Sequence, residues 1–461
     1  MLQVHDATSE PTNLIRQIHE LSKPQFAAAL GSVASHSKPI DKISHLKGRE
    51  TQINTVEEAI YAPGRHVFIY GERGVGKTSL AKTAGRAVVD ATYFKQFGCG
   101  SDTTFGSLMR QVIEAFAPKK LASIQKGSSF GLSKLLSVNA SKNETYGAQD
   151  VITVSWAADV LASLDDDGKN TIRVVVIDEM ERLTSPDARR DFAELVKLLG
   201  DRGALITFIF TGVGADLEAI LGSHPSSFRQ FAQVKLERIV FQPSLDIIDD
   251  AFARFDIDAN QEPMLTARYR IAGIANGFPV YVHLLIEKLL YALYYDRSAT
   301  EITLDHLRQA IEAAVVDAQE EIRKSYDLAT RGRSDIYRLA TWATADSWDL
   351  ERTTTQIYQS YCALCERVDA ASIQQKNLSQ VLATLKRPTH GPILSKGFRH
   401  GQYQFSENIV RGYVRLCAAA AGIELQDLSP RSDTPITHAH ARQTRAVHPD
   451  RTGGPPTTLR R

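Results

Sequence analysis

The run Gly71-Glu-Arg-Gly-Val-Gly-Lys-Thr78 has the spacing G-x-x-x-x-G-K-[ST], and the chemistry open to it is phosphate binding. Its glycines let backbone N–H groups curl around an anion, and a helix starting at this point adds its positive end to the same site. Gly71, Glu72, Arg73, Gly74, Val75, Gly76, Lys77, Thr78 and Ser79 are therefore the expected nucleotide cradle. Lys77 is placed to reach the β- and γ-phosphates, and the Thr78 hydroxyl to ligate magnesium. A second constellation lies about a hundred residues on. Val174 to Ile177 form an apolar run that ends in Asp178 and Glu179. A buried strand of this kind delivers its last residue to the edge of a parallel sheet, where ligands bind. Asp178 is then the second magnesium-side residue, and Glu179 the general base for an attacking water. ATP and Mg²⁺ are the expected cofactors. Taken singly, a Gly-rich turn or an acid-capped strand has bland readings; the strand before one and the helix after it make the pair specific.

Positioning these residues requires an alternation of strands and helices. The expected strands are 66–70, 92–97, 173–177, 204–210 and 234–241, with helical patterns between them. Short apolar strands separated by helices predict an α/β fold, a parallel sheet covered on both faces. Residues 1–45 read as an N-terminal arm, 46–243 as the ATPase core, and 244–333 as an α-helical lid. Residues 334–425 read as three helices, two short strands (392–396 and 402–406) and a closing helix, a winged-helix pattern. The stretch 118–147 is a polar insertion with five lysines and Glu144 as its one acid. It reads either as a functional loop for DNA or a partner or as a solvated excursion. The basic tail, 426–461, lacks the apolar content for a core.

Composition narrows the function classes. Lys plus Arg number 54 and Asp plus Glu 53 among 461 residues, which excludes a uniformly basic nucleic-acid coat but not a local patch. Four cysteines argue for a reducing compartment without a disulfide framework. The N-terminus lacks a signal-peptide pattern and no apolar run approaches the roughly 20 residues that span a bilayer, so a cytoplasmic protein without membrane contact is expected. Cys362 and Cys365, a lone C-x-x-C in an amphipathic helix, read as core packing rather than zinc ligands.

With these motifs in hand, the sequence resembles AAA+ ATPases of the initiator clade, the origin-recognition-complex-like and archaeal initiator ATPases and their bacterial relatives, over roughly residues 45–420. Leu46-Lys47-Gly48-Arg49-Glu50 is similar to the G-R-E segment of the adenine pocket, which implies nucleotide contacts for Gly48 and Arg49. Thr211, closing the strand after that of Asp178, resembles the sensor-1 position that feels the γ-phosphate. Arg229 resembles the arginine finger that reaches a neighbouring subunit's ATP, a surface role being the other reading; Arg238, placed inside the next strand, is the other finger candidate. Gly277-Phe278-Pro279 is followed by Val280 where the family often has the sensor-2 arginine. That departure implies slow or partner-dependent hydrolysis. His283 reads as a packed core residue.

The resemblance implies an ATPase that acts as a nucleotide-dependent switch. It would form a homo-oligomer and bind DNA through the winged helix, where Lys376, Asn377, Gln380, Lys386, Arg387, Arg399 and His400 are the polar candidates. The alternative is a regulatory or sensor ATPase gating a partner protein, for example in defence or transposition, with the winged helix as a docking module.

Overall fold

The computed structural model describes residues 16–35, 39–40, 42–118, 152–165, 170–214 and 229–425. Residues 119–147 of the polar insertion, the tail from 426 and residues 1–15 of the arm lie outside them.

In the core, α3 (Glu50–Tyr61) leads to β1 (His66–Gly71). Helices α1 (Arg16–Glu20) and α2 (Lys23–Val33) precede α3. After β1 come α4 (Lys77–Val88), β2 (Phe94–Gly98), α5 (Phe105–Phe116), α6 (Val154–Ala162) and β3 (Arg173–Asp178). The core closes with α7 (Pro186–Asp201), β4 (Ile206–Gly212) and β5 (Phe231–Leu236). The five strands form one sheet in the order β2-β3-β4-β1-β5, every pair parallel. Strand residues alternate between its faces, as the period of two demands. Val67, Ile69, Val174 and Val176 face the layer of α3 and α4. Phe68, Val175, Ile177 and Phe210 face α5, α6 and α7.

Four of the five expected strands are recovered with shifts of at most two residues at an end. The fifth requires a correction. It runs from Phe231 to Leu236, not 234 to 241, and Arg238 lies beyond it. Apolar residues resume at Ile239, Val240 and Phe241, but past Leu236 the chain turns off the sheet and opens α8 (Phe241–Ala253).

The lid consists of α8, α9 (Met264–Ala275), α10 (Pro279–Tyr295), α11 (Leu304–Asp317) and α12 (Glu320–Thr330). Helix α2 packs against it rather than standing apart: Phe26 is fully buried and stacks on Tyr294, with ring centroids 4.4 Å apart. His19 Nε2 lies 2.9 Å from the Leu293 carbonyl oxygen. The C-terminal segment runs α13 (Asp335–Ala345), β6 (Arg352–Thr353), α14 (Thr354–Arg367), α15 (Gln375–Thr384), β7 (Leu394–Lys396), β8 (Gln402–Phe405) and α16 (Asn408–Ala420). Its three strands form an antiparallel sheet, β6-β8-β7, the topology of a winged helix. β6 has two residues, too short for any periodicity to announce it. Among the described residues, no helix is long and apolar enough to cross a membrane.

Candidate functional site

β1 ends at Gly71 and α4 begins at Lys77, so the loop between them leaves the sheet at its C-terminal edge and turns directly into a helix. The unpaired N–H groups of that first turn face the cleft with the helix's positive end. Lys77 folds back over the loop, its Nζ donating to the Gly71 oxygen at 3.1 Å and the Glu72 oxygen at 2.7 Å. Burial lowers its pKa; the carboxylates of Glu181, Asp178 and Glu72 oppose that shift.

Asp178 is the meeting point on the magnesium side. Its Oδ1 accepts from the Thr78 hydroxyl at 3.2 Å, from the Thr211 hydroxyl, and from the Glu179 N–H at 3.1 Å. The sequence-expected residues from α4, β3 and β4 thus converge on one carboxylate. The donor set, a threonine hydroxyl beside a carboxylate with a lysine opposite, fits a magnesium-bound phosphate chain. Glu179 itself has left-handed backbone angles, φ 61° and ψ 46°, a conformation costing about 1–3 kcal/mol that recurs at functional sites. Its carboxylate is held by Arg182, 3.2 Å away. Sequence reasoning missed Glu181. It lines the same cleft and accepts from the Val213 N–H at 3.0 Å. Its only signal was a third acid three residues past the strand end.

The cleft has a volume of about 1030 Å³ and is lined by the phosphate loop, Asp178, Glu179 and Thr211. Pro39, Ile40, Leu46, Ile239, Ile247 and Val280 make its apolar part. Arg49 lies in the wall, but its guanidinium donates to the Val75 oxygen at 2.9 Å and the Glu237 oxygen at 2.7 Å. It therefore fastens the phosphate loop to the end of β5, and burial lowers its pKa to about 10. Gly48 does not line the cleft. With φ at +67°, it packs against Pro243, whose Cγ would lie 2.6 Å from an added Cβ. Ser79 lies in the wall, its hydroxyl accepting from the Ile40 N–H at 3.1 Å. His283 is buried and also borders the cleft.

Arg229 lies at the start of edge strand β5, exposed, at the opposite end of the sheet from the phosphate loop. Seven residues at about 3.3 Å each separate it from Leu236 beside Gly71, too far to serve its own site. Arg238 is not a free finger either. Its guanidinium donates to the Asn276 carbonyl oxygen and side chain and to the Trp348 oxygen, and stacks 4.8 Å from the Trp348 ring. Burial lowers its pKa to about 10. Among the described residues no His/Cys/Asp/Glu cluster suits a metal ion bound by protein alone, and Cys362 and Cys365 are free thiols.

Residues 45–209 match the family described as an AAA ATPase domain. The chain is 23% identical over 390 residues to an ORC1-type DNA replication protein of Pyrococcus furiosus, covering 80% of this chain and 84% of that one. It is 22% identical over 413 residues to the same-named protein of Pyrococcus horikoshii, covering 85% and 90%. Among solved structures, a Walker-type ATPase of Pyrococcus abyssi aligns with a TM-score of 0.48 at 16% identity, over 82% of this chain and 99% of that one. The matched segment is the part of the chain that carries Lys77, Thr78 and Asp178, and over that segment the chain is similar to AAA ATPase domains.

Proposed function

We propose that this protein is an ATP-dependent switch that binds ATP with magnesium, hydrolyses it, and couples nucleotide state to assembly on DNA. The observation that carries the reading is the convergence of Thr78, Thr211 and the Glu179 N–H on Asp178, across from Lys77. In this reading the loop N–H groups and Lys77 bind the phosphates, and Thr78 and Asp178 hold magnesium. The ion neutralises charge on the phosphate oxygens. Thr211 reports the γ-phosphate to Asp178. Glu179 orients and deprotonates water, once Arg182 releases its carboxylate. The cysteines, all free, suit a cytoplasmic setting.

Glu179→Gln is expected to bind ATP as before and to lose about two to four orders of magnitude of turnover, the usual worth of a general base. Comparing steady-state turnover in Glu179→Gln and Glu181→Gln checks the assignment; full activity in the first and loss in the second would move the base to Glu181.

DNA as the partner is supported by the winged-helix topology and by the name of the relatives. On α15 and around the wing, Lys376, Asn377, Gln380, Arg387, Arg399 and His400 are exposed. Such side chains read phosphates and base edges. Titrating duplex DNA at several salt concentrations tests this. With about four phosphate contacts, the plot of log affinity against log salt should slope at about −3.6. A flat plot would sink the DNA reading. One feature favours the second reading, a docking module for a protein partner: Phe398, at the wing, is 92% exposed.

A further inference from the structure

Of the four positions of the phosphate loop that its motif leaves free, the first three are Glu72, Arg73 and Gly74. In this structure each is engaged from outside the core. Asn408 Nδ2 donates to Glu72 Oε1 at 2.8 Å. Arg73 pairs with Glu321 of α12 at 2.7 Å. Gly74, with φ at +82°, lies so close to Ile409 that a Cβ there would sit 2.8 Å from its Cδ1. Asn408 and Ile409 are the first two residues of α16, more than 330 positions along the chain, and both line the nucleotide cleft.

The other end of this contact is anchored in the lid. Tyr281 Oη on α10 donates to the Ile409 oxygen at 2.8 Å, a buried bond. Helix α16 packs along α9, α11, α12 and α13. Lid and winged helix therefore form one block, and what the first turn of α16 does, the wing follows. The grip on the loop is also half made. Glu72 Oε2 and Asn408 Oδ1 are buried without a hydrogen-bond partner among the described residues. A buried acceptor left unpaired costs free energy, so a change of charge at the loop can tip this contact.

We infer that the Asn408–Glu72 pair is a latch through which the phosphate loop holds the lid and winged helix over the nucleotide. Asn408 is a positioning residue: it acts through Glu72 and not on the reacting atoms. Nucleotide leaves when the block lifts, and lifting breaks this pair. The latch takes the place of the sensor-2 arginine that Val280 lacks, from a distant part of the chain. The inference rests on the nucleotide reading above.

The test uses the full chain and a fluorescent ADP analogue chased with excess ADP. Asn408→Asp sets a carboxylate against that of Glu72. Release should accelerate about tenfold or more, the equivalent of losing one hydrogen bond to a charged group. Asn408→Ala, which removes the donor without adding charge, should accelerate release less. The double variant Glu72→Gln with Asn408→Asp rebuilds an amide–carboxylate pair with its polarity reversed, and release should return to within about threefold of the starting rate, the sign of a pairwise coupling. A purely structural role for Asn408 would not be rescued by that second change. Release at the wild-type rate in Asn408→Asp, or a double variant as fast as the single one, overturns the latch while leaving nucleotide binding intact. Failure of the unaltered chain to bind the analogue at all would instead overturn the nucleotide reading itself.

Discussion

Replacing Lys77 with alanine is expected to abolish ATP binding at millimolar concentrations or below. Lys77 is largely withdrawn from water, and its Nζ already spans the loop to the Gly71 and Glu72 carbonyl oxygens. A triphosphate seated on the loop would meet this cation in a desolvated setting. Breaking such a buried pair costs about 3–5 kcal/mol, which is roughly two to four orders of magnitude in affinity. The acids around the site sharpen the effect. Glu181, Asp178 and Glu72 all stand near Lys77, and without its charge they would repel an incoming polyphosphate. Equilibrium titration with labelled ATP measures the loss, and retained affinity would remove the phosphate site from this loop.

Arg229→Ala should bind ATP normally and hydrolyse it poorly, by roughly three to five orders of magnitude if it acts as fingers do in the best-studied nucleotide hydrolases. Its place in the sheet decides how it could act. The phosphate loop follows the C-terminal end of β1, whereas Arg229 precedes β5 at the other end of the same parallel pair. Its own site is out of its reach, so as a finger it would have to serve a neighbouring copy, and β5 is an edge strand. A guanidinium is permanently charged and planar, which suits charge spread over phosphate oxygens. Mixing Arg229→Ala with Glu179→Gln is the decisive measurement. Each variant lacks a different half of a shared site, so mixed assemblies should contain complete sites and regain turnover. Activity that falls but is not restored by mixing would end the shared-site idea. Arg238 is a poor substitute, because its donors are committed to Asn276 and Trp348.

What could be read from the sequence was what is local in the chain. The phosphate loop, Asp178 and Thr211 each end a strand whose apolar character is visible in six residues, and all three meet in the structure. The reading went wrong where local pattern outlasts local structure. The run Val234 to Phe241 alternates as far as Leu236 and regains apolar residues at Ile239, Val240 and Phe241, yet the strand ends at Leu236, and Arg238 beyond it is bonded to partners on the lid and the winged helix. Gly48 was expected at the nucleotide, but a glycine's close approach to Pro243 leaves no mark in the neighbouring residues. Asn408 was invisible for the same reason on a larger scale: nothing near it in sequence says that α16 begins against Glu72. The winged helix was legible from its order of helices and strands, since that order is itself a local sequence of periods.

The apolar cluster on one face of the sheet does not stop at the edge of the core. It runs without a break from Ile18 and Phe26 through the lid helices to Tyr413 and Leu425. Topological borders at 243 and 333 are therefore not borders of stability. Cutting the chain after Arg333 would strip α16 from α9 and α11 and return their facing side chains to water. Each large one so exposed forfeits about 1.5–3 kcal/mol, and a handful would consume the 5–15 kcal/mol that holds a typical protein folded. Heated or chemically denatured, these segments should melt in a single cooperative step, and a truncated ATPase core should aggregate rather than behave as a smaller version of the whole.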